Sequence, residues 1–378
     1  MSLDWIKETL RQIEEQGLYR RRLLREGLRD FCSNDYLGLK NHPAVVEASI
    51  KALREEGLGS GASQLVSGYT RLHQELERKL ADFKGTPSCV LFGSGYMANV
   101  GAIPVLAGEG DLIISDSLNH ASLIDGCRLS KAKKIVIEHR DYSSLKRLLD
   151  RERHKFRKVL IVTDGVFSMD GDIADLKALS DVADRFDCML YVDDAHGTGT
   201  VGEGRGTLKE LGLEWKENVV VMGTMSKALG GYGAFVCGSV EVVELLVNKA
   251  RSLIFTTSLP PAVCGGVLEA LKIIERNPSM VGELRKLSSY AYERLKNLPL
   301  QVRFWGTPII PLIVGDERKA VELSKALLKE GFFLQAIRYP TVPRGEARLR
   351  MTVSLRYTRR DIDQLVEALT YALKTLPP

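Results

Sequence analysis

No apolar stretch in this chain of 378 residues is long enough to cross a bilayer, and its N-terminus lacks a signal-peptide pattern, so a cytoplasmic location is expected. Cysteine is scarce and scattered. Cys32, Cys89, Cys127, Cys188, Cys237 and Cys264 form no Cys-x-x-Cys pair, and four of them stand in or beside apolar runs. They read as reduced core residues rather than disulfides or ligands, and no metal site is expected. An excess of either charge is missing too. The 53 Lys+Arg against 48 Asp+Glu leave a net +5, too diffuse for a nucleic-acid protein but compatible with a mouth that attracts anionic substrates. No helix-turn-helix extension, internal repeat or low-complexity tract is present. With 44% hydrophobic residues the chain can bury a large core, and one large domain with a smaller one is expected.

What is present is an alternation of amphipathic helix patterns with short apolar runs. Ser88–Phe92, Leu112–Ile114, Lys134–Ile137, Val159–Val162, Cys188–Val192 and Asn218–Met222 read as strands. That alternation predicts an α/β architecture, a mostly parallel sheet covered by helices, with ligands bound outside the strand C-terminal ends. After the Asn277-Pro278 turn the pattern shifts to a long helix, Val281 to Asn297, and to alternating segments near Pro308–Val314 and Ala347–Val353.

Three motifs stand at strand ends. Thr224-Met225-Ser226-Lys227-Ala228-Leu229-Gly230-Gly231 follows one apolar run and places Lys227 for covalent attachment to an aldehyde cofactor, pyridoxal phosphate being the obvious candidate. A Ser-Lys pair there could equally be a solvated turn. Asp193-Asp194-Ala195-His196 follows another run. Pyridoxal chemistry needs a carboxylate at the pyridine nitrogen, and strand alternation gives Asp193 that position while Asp194 points the other way. His196 could donate to the phenolic oxygen of the ring; a turn cap and a structural histidine are the plainer alternatives. Gly93-Ser94-Gly95 leads from a strand into a helix beginning at Tyr96, so Ser94, Gly95 and Tyr96 form a candidate phosphate cradle of backbone amides and one hydroxyl. Its spacing fits neither the dinucleotide fingerprint nor the P-loop.

In this order the motifs resemble the fold-type I pyridoxal phosphate enzymes. Asn34-Asp35-Tyr36-Leu37-Gly38-Leu39, Asp164 to Gly171, Asp193 to Gly199 and Ala336 to Pro343 are similar, more narrowly, to the α-oxoamine synthases, which join an amino acid to an acyl thioester with loss of carbon dioxide. The resemblance runs from the Asn34 motif to Arg350. Ala195, Gly197 and the Ala336-Ile337-Arg338 stretch resemble the alanine-using, biotin-pathway branch more than the glycine-using siblings, which stay as the alternative. A non-catalytic subunit is the reading from a different class.

The resemblance implies further roles. Lys227 is the expected covalent partner and general base, with Asp193, His196 and His120 completing the catalytic set; His120 matches the histidine that stacks on the cofactor ring. Ser168 and Thr224 match contacts to cofactor oxygens or phosphate, though each could be a turn hydroxyl. Arg350 matches the arginine for the amino-acid carboxylate, with Arg348 of the same strand parity. Arg338, Asn34 and Tyr36 lie where the acyl chain is expected, and Arg21, within Arg20-Arg21-Arg22, is a candidate for the acyl-thioester mouth. The substrates implied are alanine and an acyl thioester of coenzyme A or acyl carrier protein. Thr256 or Thr257 would reach a neighbour's phosphate, which implies a homodimer with shared active sites. Residues 1–40 are expected to pack with a small α+β domain at 278–378, leaving 41–277 as the cofactor-binding domain. One departure is Asp164, where relatives often carry glutamate.

Overall fold

The computed structural model describes residues 3–20 and 22–375. The chain forms two units, Asn34–Ser168 with Asp172–Arg285, and the residues up to Ser33 with Met169–Gly171 and those from Lys286 onward. One boundary falls inside the helix Ser279–Leu295 rather than at the Asn277-Pro278 turn. That helix is continuous, and Arg285 on its first half is tied at 2.5 Å to Glu210 of the larger unit.

The larger unit is built on seven strands, β1 (Ser88–Phe92), β2 (Leu112–Asp116), β3 (Lys133–Ile137), β4 (Val159–Asp164), β5 (Met189–Asp193), β6 (Val219–Thr224) and β7 (Ala234–Gly238). Their order across the sheet is β1-β7-β6-β5-β4-β2-β3. The pairs β6-β5, β5-β4, β4-β2 and β2-β3 are parallel. Only β7 runs against its neighbours β6 and β1.

Alternate residues of these strands feed two separate cores. Val90, Ile113, Leu160, Val162, Tyr191, Val220 and Val236 pack on one face beneath the helices Gly95–Leu106, Ala121–Leu129 and Val240–Lys249. Leu112, Ile114, Val159, Ile161, Leu190, Val192, Val219 and Val221 pack on the other beneath Tyr142–Glu152 and Leu176–Arg185. Burial on both faces explains why the strands read as unbroken apolar runs. Each fully buried aliphatic side chain contributes about 1.5–3 kcal/mol. At the sheet edge, β3 exposes Lys133, Lys134 and Val136.

Helix starts at the strand C-terminal edge carry their own caps. Ser94 Oγ accepts the Met97 N–H at 3.2 Å, opening Gly95–Leu106. The His120 ring accepts the Ser122 N–H at 3.2 Å, opening Ala121–Leu129. The helix Arg71–Lys84 ends at Gly85, whose φ of 69° is the left-handed conformation that favours glycine.

The smaller unit holds an antiparallel sheet in which Ile309–Gly315 and Ala347–Thr352 are central, with two-residue strands Ala336–Ile337 and Gln301–Val302 outside them. The helices Glu317–Lys329 and Arg359–Thr375 belong to this unit, as does the N-terminal helix Asp4–Glu15. The N-terminal segment is stitched in by Arg29–Asp30, which pairs in parallel with Phe332–Phe333. No helix among the described residues is long and apolar enough to cross a membrane.

Candidate active site

The C-terminal ends of β2, β4, β5 and β6 and the start of the helix after β1 converge on a cavity of about 180 Å3 in the larger unit. Gly95, Tyr96, His120, Asp193, His196, Thr224 and Lys227 line it, together with Ser122, Asp164, Ala195, Met222 and Ser226. Asp193, the last residue of β5, is buried, and its two oxygens accept from Asn99 Nδ2 at 2.7 Å and from the Ala195 N–H at 3.0 Å. A carboxylate has about four acceptor sites, so this one keeps capacity for another donor from the cavity.

A directed chain of hydrogen bonds links that carboxylate to His120. Tyr191 Oη donates to Asn99 Oδ1 at 2.9 Å, and Asn99 Nδ2 donates to Ser122 Oγ at 2.8 Å as well as to Asp193. Ser122 Oγ lies 2.7 Å from His120 Nδ1. Because Nδ1 already accepts the Ser122 N–H, the ring proton belongs on Nε2 and the imidazole is neutral. Desolvation lowers the His120 pKa, with the Lys227 charge acting in the same direction and the Asp193 charge opposing both. The outer side of His120 nevertheless remains exposed.

Asp164 and Asp193 are paired across β4 and β5. Burial first, and the neighbouring Asp193 charge second, push the Asp164 pKa well above the usual carboxylate range, against the His120 N–H that it accepts at 2.7 Å. On the far side of the Asp193 turn, His196 Nδ1 lies 2.7 Å from Tyr36 Oη, which is itself 3.1 Å from Asn34 Oδ1.

A nucleophilic amine, a buried carboxylate able to meet a ring N–H, a flat neutral imidazole and the amides of a helix start suit an aldehyde-bearing, phosphorylated pyridine. The donor set therefore fits pyridoxal phosphate. The model for aminotransferases of class I and II matches residues 26–369.

The chain belongs to this family.

A protein of Aquifex aeolicus, provisionally named 8-amino-7-oxononanoate synthase, is 60% identical over 98% of this chain and 99% of its own length. The 8-amino-7-oxononanoate synthase of Symbiobacterium thermophilum is 45% identical over 97% of this chain and 96% of its own. Among solved structures, a serine palmitoyltransferase from S. paucimobilis with bound PLP and myriocin superposes with a TM-score of 0.90 at 28% identity, covering 98% of this chain and 97% of that one. The aminotransferase fold is thus present along nearly the whole chain.

Several sequence expectations meet different surroundings. Tyr36, expected beside the acyl chain, is fully buried, and its hydroxyl is engaged by His196 and Asn34. Thr224 lines the cavity, but its hydroxyl hydrogen goes to the Gly233 carbonyl at 2.9 Å, and Ser226 Oγ lies 2.6 Å away. With the Thr224 hydrogen on Gly233, Ser226 Oγ is the donor to Thr224 Oγ1, so both hydroxyl hydrogens are engaged within the turn. Ser94 caps its helix and contributes no lining surface, Ser168 is half-buried off the lining, and Thr256 is half-buried after the short helix Arg251–Ile254.

Arg350 and Arg338 belong to the smaller unit. Arg350 is buried on Ala347–Thr352. Its parity mate Arg348 is committed to structure, with Nη1 on Asp170 at 2.8 Å and Nη2 on Glu346 at 3.0 Å. Arg338 donates to the Gly17 carbonyl and lines a cavity of about 690 Å3 with Arg20, Tyr19 and Tyr339. Arg21 lies outside the described residues. Asn99, Ser122, Ser226 and Met222 are given no site role by the sequence, because nothing in their local pattern separates them from ordinary helix, turn and strand positions.

Proposed function

We propose that the protein condenses L-alanine with a pimeloyl thioester of coenzyme A or acyl carrier protein, releasing 8-amino-7-oxononanoate, carbon dioxide and free thiol. It is a pyridoxal-phosphate-dependent acyltransferase of the α-oxoamine synthase type. The observation that carries the reading is the convergence of Lys227 and the buried Asp193 carboxylate on one small cavity. The names of the full-length relatives support the choice of substrates.

When bound, pyridoxal phosphate draws electrons from the α-carbon of the amino acid, so that carbon can lose first a proton and later its carboxylate. Lys227 Nζ would hold the cofactor's aldehyde carbon in the resting enzyme. During turnover the same amine takes the α-proton from alanine and returns a proton to that carbon after decarboxylation. Asp193 holds a proton at the pyridine nitrogen, braced by Asn99 and the Ala195 amide. His120 supports the ring face, and His196, with Nδ1 turned to Tyr36, offers Nε2 to the phenolic oxygen.

The amides of Gly95 and Tyr96 at the helix start are suited to the phosphate, and Ser94, behind them as the helix cap, accepts the Met97 N–H and keeps its own hydroxyl hydrogen for it. Thr224 and Ser168 keep supporting roles there. Arg350 is assigned the alanine carboxylate and Arg338, Asn34 and Arg21 the acyl thioester. A homodimer in which Thr256 reaches the partner's phosphate completes the proposal. Lys227→Ala is expected to abolish both turnover and the visible absorbance of the bound cofactor; a variant with normal turnover would overturn the assignment.

A further inference from the structure

Next to Asp193, and pointing away from the cavity, a second acidic residue is buried against a lysine from a distant helix. Lys84 Nζ donates to Asp194 Oδ2 at 2.6 Å, to the Arg205 carbonyl at 2.6 Å and to Thr198 Oγ1 at 3.1 Å. Its three ammonium hydrogens thus meet three acceptors. The Asp194 carboxylate accepts in addition from Thr207 Oγ1 at 2.6 Å and from the Thr207 amide. Both charged side chains are almost wholly buried, at 3% and 2% exposure.

The chain has made room for this pair. A Cβ on Gly206 would stand 1.7 Å from Asp194 Oδ2, one on Gly197 2.0 Å from Oδ1, and one on Gly165 3.0 Å from Oδ1. Glycines from three places therefore close around one carboxylate. The Asp194 backbone is pinned as well: its N–H donates to the Met222 carbonyl at 2.7 Å, and its carbonyl accepts from the Thr198 N–H at 2.8 Å. Asp193, whose carboxylate faces the cavity, precedes this anchor, and Ala195 and His196 follow it.

We infer that the Lys84–Asp194 ion pair is a positioning pair for the reaction, fixing the turn that aims Asp193 and His196 into the cavity. Lys84 gains its own fixed place from the helix stop at Gly85. A buried ion pair is weak support for stability but strongly penalises the loss of one partner. Here that penalty falls on the turn from Asp194 to Thr207. Without Lys84 the carboxylate must find another partner or a proton. The Ala195 amide that braces Asp193 then shifts, together with His196 on its tyrosine.

This inference rests on the proposed role of Asp193 toward pyridoxal phosphate. The test compares wild type with Asp194→Asn, Lys84→Met, the double variant and Thr207→Val, which removes one donor while leaving the ion pair. Each is examined by circular dichroism, by absorbance titration of the cofactor-free protein with pyridoxal phosphate, by the pH dependence of the bound-cofactor spectrum, and by kcat and KM. The single variants are expected to lose about 10- to 100-fold in kcat with KM little changed. Their bound-cofactor spectrum should titrate at a shifted pH, and the double variant should recover part of the loss. Thr207→Val should show the same effects in weaker form, and it carries the test if a single charge variant does not fold. Variants that bind cofactor with a wild-type pH profile and lose only thermal stability would overturn the positioning role alone. Absence of any bound-cofactor spectrum in wild type would overturn the proposed function, and this inference with it.

Discussion

Tyr36 Oη and His196 Nδ1 lie 2.7 Å apart, joining the Asn34 motif near the start of the larger unit to the turn after β5. The contact fixes which ring nitrogen of His196 is turned toward the cavity. Tyr36→Phe removes it without changing shape. A hydrogen bond of this kind is worth about 1 kcal/mol, so kcat is expected to fall roughly five- to tenfold while the fold persists. Steady-state kinetics beside a thermal melt checks this; unchanged kcat would detach Tyr36 from the site.

Asp164 and Asp193 face each other across neighbouring strands and are expected to respond differently to amidation. Asp164, whose pKa burial first and the Asp193 charge second push well above the usual carboxylate range, can be replaced by asparagine, whose carbonyl can still accept the His120 N–H. Asp193→Asn removes the charge proposed to hold the ring proton. The first change is expected to cost less than about tenfold in kcat and the second more than about 100-fold, with cofactor still bound in both. Equal losses would mean that the two carboxylates share the role.

His139 should give the fold a pH-dependent component. Its Nδ1 faces Asp116 Oδ1 at 3.0 Å and its Nε2 faces Asp172 Oδ2 at 2.9 Å, so both nitrogens must donate and the ring is an imidazolium. Arg140 also approaches Asp172, and Phe167 packs edge-on against the ring. Burial disfavours the charge, but the two carboxylates prevail and raise the pKa to about 9. A raised pKa stabilises fully below the ordinary value of about 6.5, and that contribution disappears as pH climbs through 9. At most about 3 kcal/mol is involved. Wild type should therefore lose more stability than His139→Gln between pH 6.5 and 9.5, as read by denaturant unfolding; parallel pH profiles would contradict this.

The parts of the fold legible in the sequence were those governed by local burial. Leu112–Asp116, Val159–Asp164 and Val219–Thr224 are covered on both faces and so appear as apolar runs. The strand Ala234–Gly238 passed unread because it returns within one short loop of Lys227, where the glycines dominate the pattern. Strand parity sufficed to separate Asp193 from Asp194. It could not reveal what Asp194 faces, since Lys84 and Thr207 reach it only through tertiary packing. The same holds for Asn99, a helix residue whose amide joins Asp193 to Ser122. Thr224 is the converse case, a motif hydroxyl whose hydrogen goes to the Gly233 carbonyl, the turn role that the sequence left open.

The most direct measurement is thiol release from pimeloyl-coenzyme A by the purified protein loaded with pyridoxal phosphate, with alanine or glycine as the second substrate and the product identified by mass. Thiol should appear with alanine, in step with a product of the mass of 8-amino-7-oxononanoate, and much more slowly with glycine. No thiol release with alanine, or turnover only with glycine and a short acyl donor, would contradict the proposed reaction.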